Sequence, residues 1–230
     1  MMWAMPVAYL GPEGTFSEAA LHAVDPGADP LPCPTIQAVF AAVREGAAER
    51  AVVPIESSVE GVVTATLDDL ATGSDLVIVA ERQIPIAFAL LAGAGTSLGD
   101  IKRVGGHPQA MPQCRGWLAA NLPGAEWVTV ASNAEAARQA ADGDLDAALA
   151  GAFAAERYGL EVLVPDVHDR ATAVTRFVVV SAHGPLPART GTDRTSMAAF
   201  LVWVDHPSSD LVANLEHAYR LLGEGLRDLG

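Results

Sequence analysis

The stretch His168–Ser181, HDRATAVTRFVVVS, decides how the chain is put together. Its second half, TRFVVVS, is a run of β-branched and apolar residues, which reads as a buried strand. It arrives after two α/β units have already gone by, and it can return to the first of them. A strand that returns in this way ties two lobes together and leaves a cleft between them, a usual place for a small ligand. Thr175 and Arg176 stand at the mouth of this strand. A strand interior seldom needs a hydroxyl and a guanidinium side by side. Together they offer a hydrogen-bond donor and a carboxylate clamp, with Phe177 as the core anchor that aims them.

Outward from this stretch the pattern alternates. Residues 6–11 read as a strand entering a glycine-bearing turn, and 15–24 as a helix. Residues 35–46 have a Thr start, helical apolar spacing and a Gly stop. RAVVPIE is a short buried strand, and TATLDDLA a helix ending at Gly73. LVIVAERQIPIAFALLAG reads as two strands split near Gln83, where the hinge is expected. A helix over 109–122, a strand AEWVTVAS, a helix NAEAARQAADG, a strand AALAG and a helix AFAAERYG follow. Such alternation predicts an α/β fold with mostly parallel pairing, in two lobes around a central cleft.

Totals narrow the class. The chain has 230 residues, half of them hydrophobic, enough for a sizeable core. Its formal charge is −14, from 14 basic against 28 acidic residues, and Lys102 is the only lysine. That balance argues against nucleic-acid binding, which needs a basic face. A small anion is still accommodated by helix-start N–H groups and an arginine or two. Apolar runs are too short to span a bilayer, and the first residues lack the parts of a signal peptide. The expectation is a soluble cytoplasmic protein with no membrane partner. Cys33 and Cys114 lie far apart with no metal-type spacing, which predicts reduced thiols and no metal site.

Four stretches carry candidate binding groups, each also readable as scaffold. GPEGTFSE, 11–18, follows a strand and opens a helix, so Thr15 and Ser17 either cap that helix or face an anion. PIESSVEG, 54–61, projects Ser57 and Ser58 at a strand's carboxyl end, where ligands gather in open α/β sheets. GGHPQA, 105–110, puts His107 and Gln109 at another helix start. ASNAEAA, 131–137, offers Ser132 or Asn133 as a cap whose donors also suit a carboxylate. No Walker loop, dinucleotide fingerprint, zinc spacing or G-x-S-x-G elbow is present. A site of hydroxyls and one guanidinium, without a detectable cofactor, suits a substrate that carries its own driving force.

With those residues in view, the chain resembles the prephenate dehydratases. The resemblance runs from VAYLGPEGTFSEAAL through VPIESSVEGVVTATLDDL, GHPQA and ASNAEAA to AVTRFVVVS, in the order and spacing of that family, with actinobacterial-type members nearest. It implies a two-lobed fold like that of periplasmic binding proteins. Residues 5–82 and 168–182 would form lobe one and 83–167 lobe two. It also implies a reaction, prephenate to phenylpyruvate, water and carbon dioxide, in phenylalanine biosynthesis. Gain of an aromatic ring drives that reaction, so no cofactor is needed. The family's essential threonine falls on Thr175, which would protonate or hydrogen-bond the departing hydroxyl. Arg176 becomes the carboxylate partner, with Thr15, Ser17, Ser58, Ser132 and Asn133 as further anion donors. The resemblance implies a homodimer or homotetramer.

Two departures stand out. The family commonly has Glu-Asn-Ser where this chain has Glu56-Ser57-Ser58, so a shorter hydroxyl replaces an amide. After a Pro/Gly/Thr-rich linker at 183–194, residues 195–230 resemble only the first strand and helix of the family's regulatory ACT domain, a partial α+β tail. HPSSDL, 206–211, stands where one effector motif is expected, which implies weak or absent control by phenylalanine. Competing expectations are arogenate as substrate, decarboxylation without aromatisation, and a non-catalytic anion-binding module.

Overall fold

The computed structural model describes residues 5–72, 76–169 and 173–182. In chain order the elements are β1 (Val7–Leu10), α1 (Phe16–Val24), β2 (Pro30–Cys33), α2 (Ile36–Arg44), β3 (Arg50–Ser57), β4 (Gly61–Val62), α3 (Thr64–Thr72) and β5 (Leu76–Pro85). They continue with β6 (Ala89–Ala92), β7 (Arg103–Gly106), α4 (Ala110–Asn121), β8 (Glu126–Thr129), α5 (Asn133–Ala141), β9 (Ala147–Ala150), α6 (Phe153–Tyr158), β10 (Glu161–Val164) and β11 (Val174–Ala182). The predicted linker at 183–194, the ACT-like tail and the Gly73 helix stop fall outside the described residues.

The helix starts follow from short polar side chains. Thr35 Oγ1 accepts from Ala38 N at 3.1 Å, and Ser132 Oγ from Glu135 N at 2.9 Å, each satisfying an otherwise orphan donor of α2 and α5. Helix α6 stops at Gly159, whose φ of 66° suits a residue without Cβ.

Two sheets form. The first runs β2-β1-β3-β11-β5, with β4 paired to β3, and the second runs β10-β6-β9-β7-β8. The expected mostly parallel pairing is corrected here. β1 pairs parallel with β2 and β3, and β7 with β8 and β9. β11 lies antiparallel between β3 and β5, and β6 lies antiparallel to both β9 and β10. The chain passes twice between sheets, and each passage reverses a strand against its neighbours. The split near Gln83 is also corrected. β5 continues through Gln83 to Pro85, because β11 offers partners as far as Val174, and the break falls at residues 86–88.

Both faces of the first sheet are packed. Phe40, Val39 and Val43 of α2 cover one face with Val178 and Val180, while Tyr9, Leu21, Phe177 and Val179 fill the other. Side chains of this size stabilise by about 1.5–3 kcal/mol each when buried. The second sheet buries Leu90, Leu149 and Val104 against α4, and an alanine-rich layer against α5 and α6. Phe16 joins the sheets: its ring meets the edge or face of Phe88 at 5.8 Å and of Phe153 at 5.3 Å, both T-shaped.

Candidate functional site

A cavity of about 430 Å³ opens where the two sheets face each other. Phe16, Ile86 and Phe88 are among its apolar walls, and its polar lining comprises Ser57, Glu60, His107, Gln109, Gln113, Asn133 and Thr175. Each polar group arrives on a strand end, a turn or a helix start. Thr175 sits at the start of β11, opposite Ser57 on β3 and Ile84 on β5. Ser57 ends β3 and accepts at Oγ from Val59 N at 3.2 Å and Glu60 N at 3.4 Å, which folds the chain into the turn that brings Glu60 to the cavity.

From the second sheet, β7 delivers His107 and Gln109 ahead of α4. His107 N donates to Asn133 Oδ1 at 2.8 Å. This fixes the Asn133 amide with its carbonyl occupied and leaves its NH₂ for a ligand. His107 Nδ1 accepts from Gln109 N at 3.3 Å, so the neutral ring carries its proton on Nε2. Gln113 lies one turn beyond Gln109 on α4 and donates from Nε2 to Gln109 O at 3.1 Å. The Gln109 side-chain amide donates to the Glu60 carboxylate, closing a polar contact from one lobe to the other.

The remaining sequence candidates stand around the cavity rather than on its wall. Thr15 Oγ1 donates to Leu10 O at 3.2 Å and accepts from Glu18 N at 3.4 Å, so its hydroxyl builds the start of α1. Ser17 is buried within α1. Ser58 bonds to the backbone of Val174. Ser132 caps α5. Phe177 is 2% exposed and packs in the core with Tyr9 and Leu21. Arg176 places Nε 2.8 Å and a terminal nitrogen 2.6 Å from Glu81 Oε2, with Glu56 at 3.8 Å. Among the described residues, no Arg or Lys side chain lines the cavity, and Glu60 is its one carboxylate.

Sequence reasoning missed Glu60 and Gln113. The signal for Gln113 was its i+4 spacing from Gln109, which puts both on one helix face. Glu60 gave no comparable signal, because only the Ser57 turn carries it inward.

A second set of contacts crosses the lobes beside the cavity. Tyr158 Oη donates to Glu13 O at 2.7 Å, and Arg157 pairs with the Glu13 carboxylate. Burial, then the Glu13 charge, pushes the Tyr158 phenol up. On α4, burial and then Asp169 push the Cys114 thiol up to about 12, which keeps it a neutral core group. Among the described residues, no cluster of His, Cys, Asp and Glu suits a metal ion, and no helix is long and apolar enough to cross a membrane.

Fold and cavity together define a two-lobed α/β protein with a partly polar cavity, of small-molecule size, between its lobes. Residues 7–185 match the family described as prephenate dehydratase. The chain is 45% identical over 201 residues to the prephenate dehydratase of Mycobacterium marinum, covering 83% of this chain and 64% of that one. The prephenate dehydratase of Arthrobacter aurescens, solved in complex with L-Phe, superposes with a TM-score of 0.76 at 45% identity, covering 81% of this chain and 63% of that one. GqqA, described as a novel type of quorum quenching acylase, superposes with a TM-score of 0.71 at 34% identity, over 79% of this chain and 66% of that one. The chain belongs to the prephenate dehydratase family. It spans just under two thirds of the length of the curated M. marinum relative.

Proposed function

We propose that the protein is a prephenate dehydratase acting in L-phenylalanine biosynthesis. The observation that carries this reading is the presence of Thr175, at the start of β11, in one cavity with His107, Gln109 and Asn133. In the proposed reaction the bond to the ring carboxylate breaks and carbon dioxide leaves. Its electron pair enters the ring as the ring hydroxyl departs with one added proton as water. Thr175 hydrogen-bonds the departing oxygen. A threonine hydroxyl is too weak an acid to act alone, so its contribution is positioning and charge stabilisation. Asn133 NH₂, His107 Nε2–H and the glutamine amides would hold the substrate's carboxylates and keto group. Arg176 would reach a carboxylate only by exchanging Glu81 for it. Thr15, Ser17, Ser132 and Phe177 support the reading by fixing α1, α5 and β11 around the cavity. The proposal needs no cofactor, and it places the reaction in the cytoplasm in a homo-oligomer, which size-exclusion chromatography with light scattering would test.

Acyl hydrolysis, the activity named for GqqA, needs a nucleophile held by a base. Among the described residues no hydrogen bond joins Ser57 Oγ to His107, whose Nδ1 accepts from Gln109 N, so these two groups are not arranged as such a pair.

The test is turnover of prephenate by purified protein at neutral pH, reading phenylpyruvate by absorbance in alkali and substrate by chromatography. Phenylpyruvate well above the spontaneous rate is the expected result. Prephenate consumed without phenylpyruvate would replace aromatisation by plain decarboxylation. Prephenate left intact while arogenate is converted would move the substrate assignment.

A further inference from the structure

The ladder between β3 and β11 ends in an unusual rung. Ser57 pairs with Thr175, so the next rung should join Ser58 to Val174 by two backbone bonds. Ser58 N does donate to Val174 O at 2.9 Å. The return bond, from Val174 N to the Ser58 carbonyl, is not the one made where the chain begins the 57–60 turn towards β4. Val174 N donates instead to Ser58 Oγ, also at 2.9 Å. A side chain thus completes the rung that sits immediately before Thr175.

We propose that Ser58 is a positioning residue for Thr175, and this rests on the reading of the protein as a prephenate dehydratase. Val174 is the first residue of β11, and the end of a strand frays unless it is tied down. On the opposite side β5 pairs with this end, Val174 with Pro85 and Thr175 with Ile84, and Ile86 N donates to Ala173 O at 2.8 Å. Ser58 supplies both bonds on the β3 side. Its hydroxyl accepts from Val174 and does not line the cavity, so it acts through the backbone on the residue that does. Ser58 is exposed, so water can take over the Val174 N–H when the hydroxyl is removed. The loss would then appear as a looser strand start, not as an unfolded protein.

Ser58→Ala should lower kcat about 10- to 100-fold, the cost of misplacing a reacting group by up to 1 Å. KM for prephenate should stay within about twofold, since no substrate contact is removed. Ser58→Thr, which keeps the acceptor, should restore most of kcat. Hydrogen exchange at the Val174 amide should quicken about fivefold in Ser58→Ala, the effect of one ordinary hydrogen bond, and return towards wild type in Ser58→Thr. An unchanged kcat overturns the proposal, and so does a raised KM at constant kcat, which would make Ser58 a substrate contact. Should Ser58→Ala fail to fold, Ser58→Cys, similar in size and a poor acceptor, gives the same readings. Should the wild type not turn over prephenate, the functional reading fails, while unchanged Val174 exchange in Ser58→Ala would sink the positioning role separately.

Discussion

The two lobes furnish the cavity with different chemistry. The first sheet contributes hydroxyls, Ser57 and Thr175, from paired ends of β3 and β11, and Glu60 from the adjoining turn. The second contributes an imidazole and three amides, His107, Gln109, Gln113 and Asn133, from the starts of α4 and α5. Their cores differ to match. Behind Thr175 stand Tyr9, Leu21 and Phe177, large side chains that fix the sheet. Behind Asn133 the packing is mostly alanine, with Ala136, Ala137, Ala140, Ala148 and Ala154 buried together. Small side chains bring α5 close to its sheet, so that its first residue reaches the cavity. On the proposed reading the difference is a division of labour: the first lobe would hold the group that meets the leaving hydroxyl, and the second would recognise what is bound.

The strongest way to break that division is Thr175→Ala. It should lower kcat by about 10³-fold or more, comparable with removing a stabilising donor from a preorganised site. The melting temperature should move little, because the position is only half-buried. Steady-state kinetics alongside thermal unfolding would check this, and retained turnover would take Thr175 out of the reaction. The next largest effect tests the tight packing of the second lobe. A Cβ on Gly105 would come 2.3 Å from Leu145 Cδ1 and 3.3 Å from Ala136 Cβ. Gly105→Ala should therefore cost about 1–3 kcal/mol of stability as overpacking. Urea unfolding would measure it, and an unchanged midpoint would show that Leu145 simply turns aside. Smaller again is Asn133→Ala. If the second lobe recognises, KM should rise about tenfold, the worth of one good hydrogen bond to a charged group, with kcat nearly constant. A fall in kcat as deep as that of Thr175→Ala would erase the distinction between the lobes.

Much of the fold was legible because apolar runs and Gly stops mark elements whatever their direction. Direction itself is not written in composition: VVV in β11 reads the same in a parallel or an antiparallel sheet. The strand β2, PLPC, escapes a propensity reading because proline argues against strands, yet it lies on a sheet edge, where proline is tolerated. β7, RVGG, escapes because glycine weakens strands, yet here the missing side chains make room for Leu145 and Trp127. At the site, residue types and spacing pointed to segments that the structure brings around one cavity. They did not say which hydroxyls face the cavity and which cap helices. Thr15 and Ser132 carry the same chemistry as Ser57, and only the packing of α1 and α5 spends theirs on helix starts.

The least effect is expected one residue from the greatest. Successive side chains of a strand point to opposite faces, so Thr175 and Arg176 part company although they are neighbours in sequence. Thr175 turns to the cavity, while Arg176, its side chain 23% exposed, turns to Glu81 and Glu56. Both carboxylates are half-exposed or more, so the pairing is worth no more than about 1 kcal/mol. Arg176→Leu should then leave kcat/KM within about threefold of wild type, as expected when no transition-state contact is lost. The opposite outcome has a distinct signature. If the guanidinium leaves Glu81 to hold a substrate carboxylate, Arg176→Leu should raise KM at least tenfold, the loss of a charge-assisted bond. Glu81→Gln should then lower KM, because the internal competitor for the guanidinium has been weakened. Measured together, the two variants separate a cation that braces the first sheet from one that swings into the cavity, and the second result would give the first lobe a share in recognition.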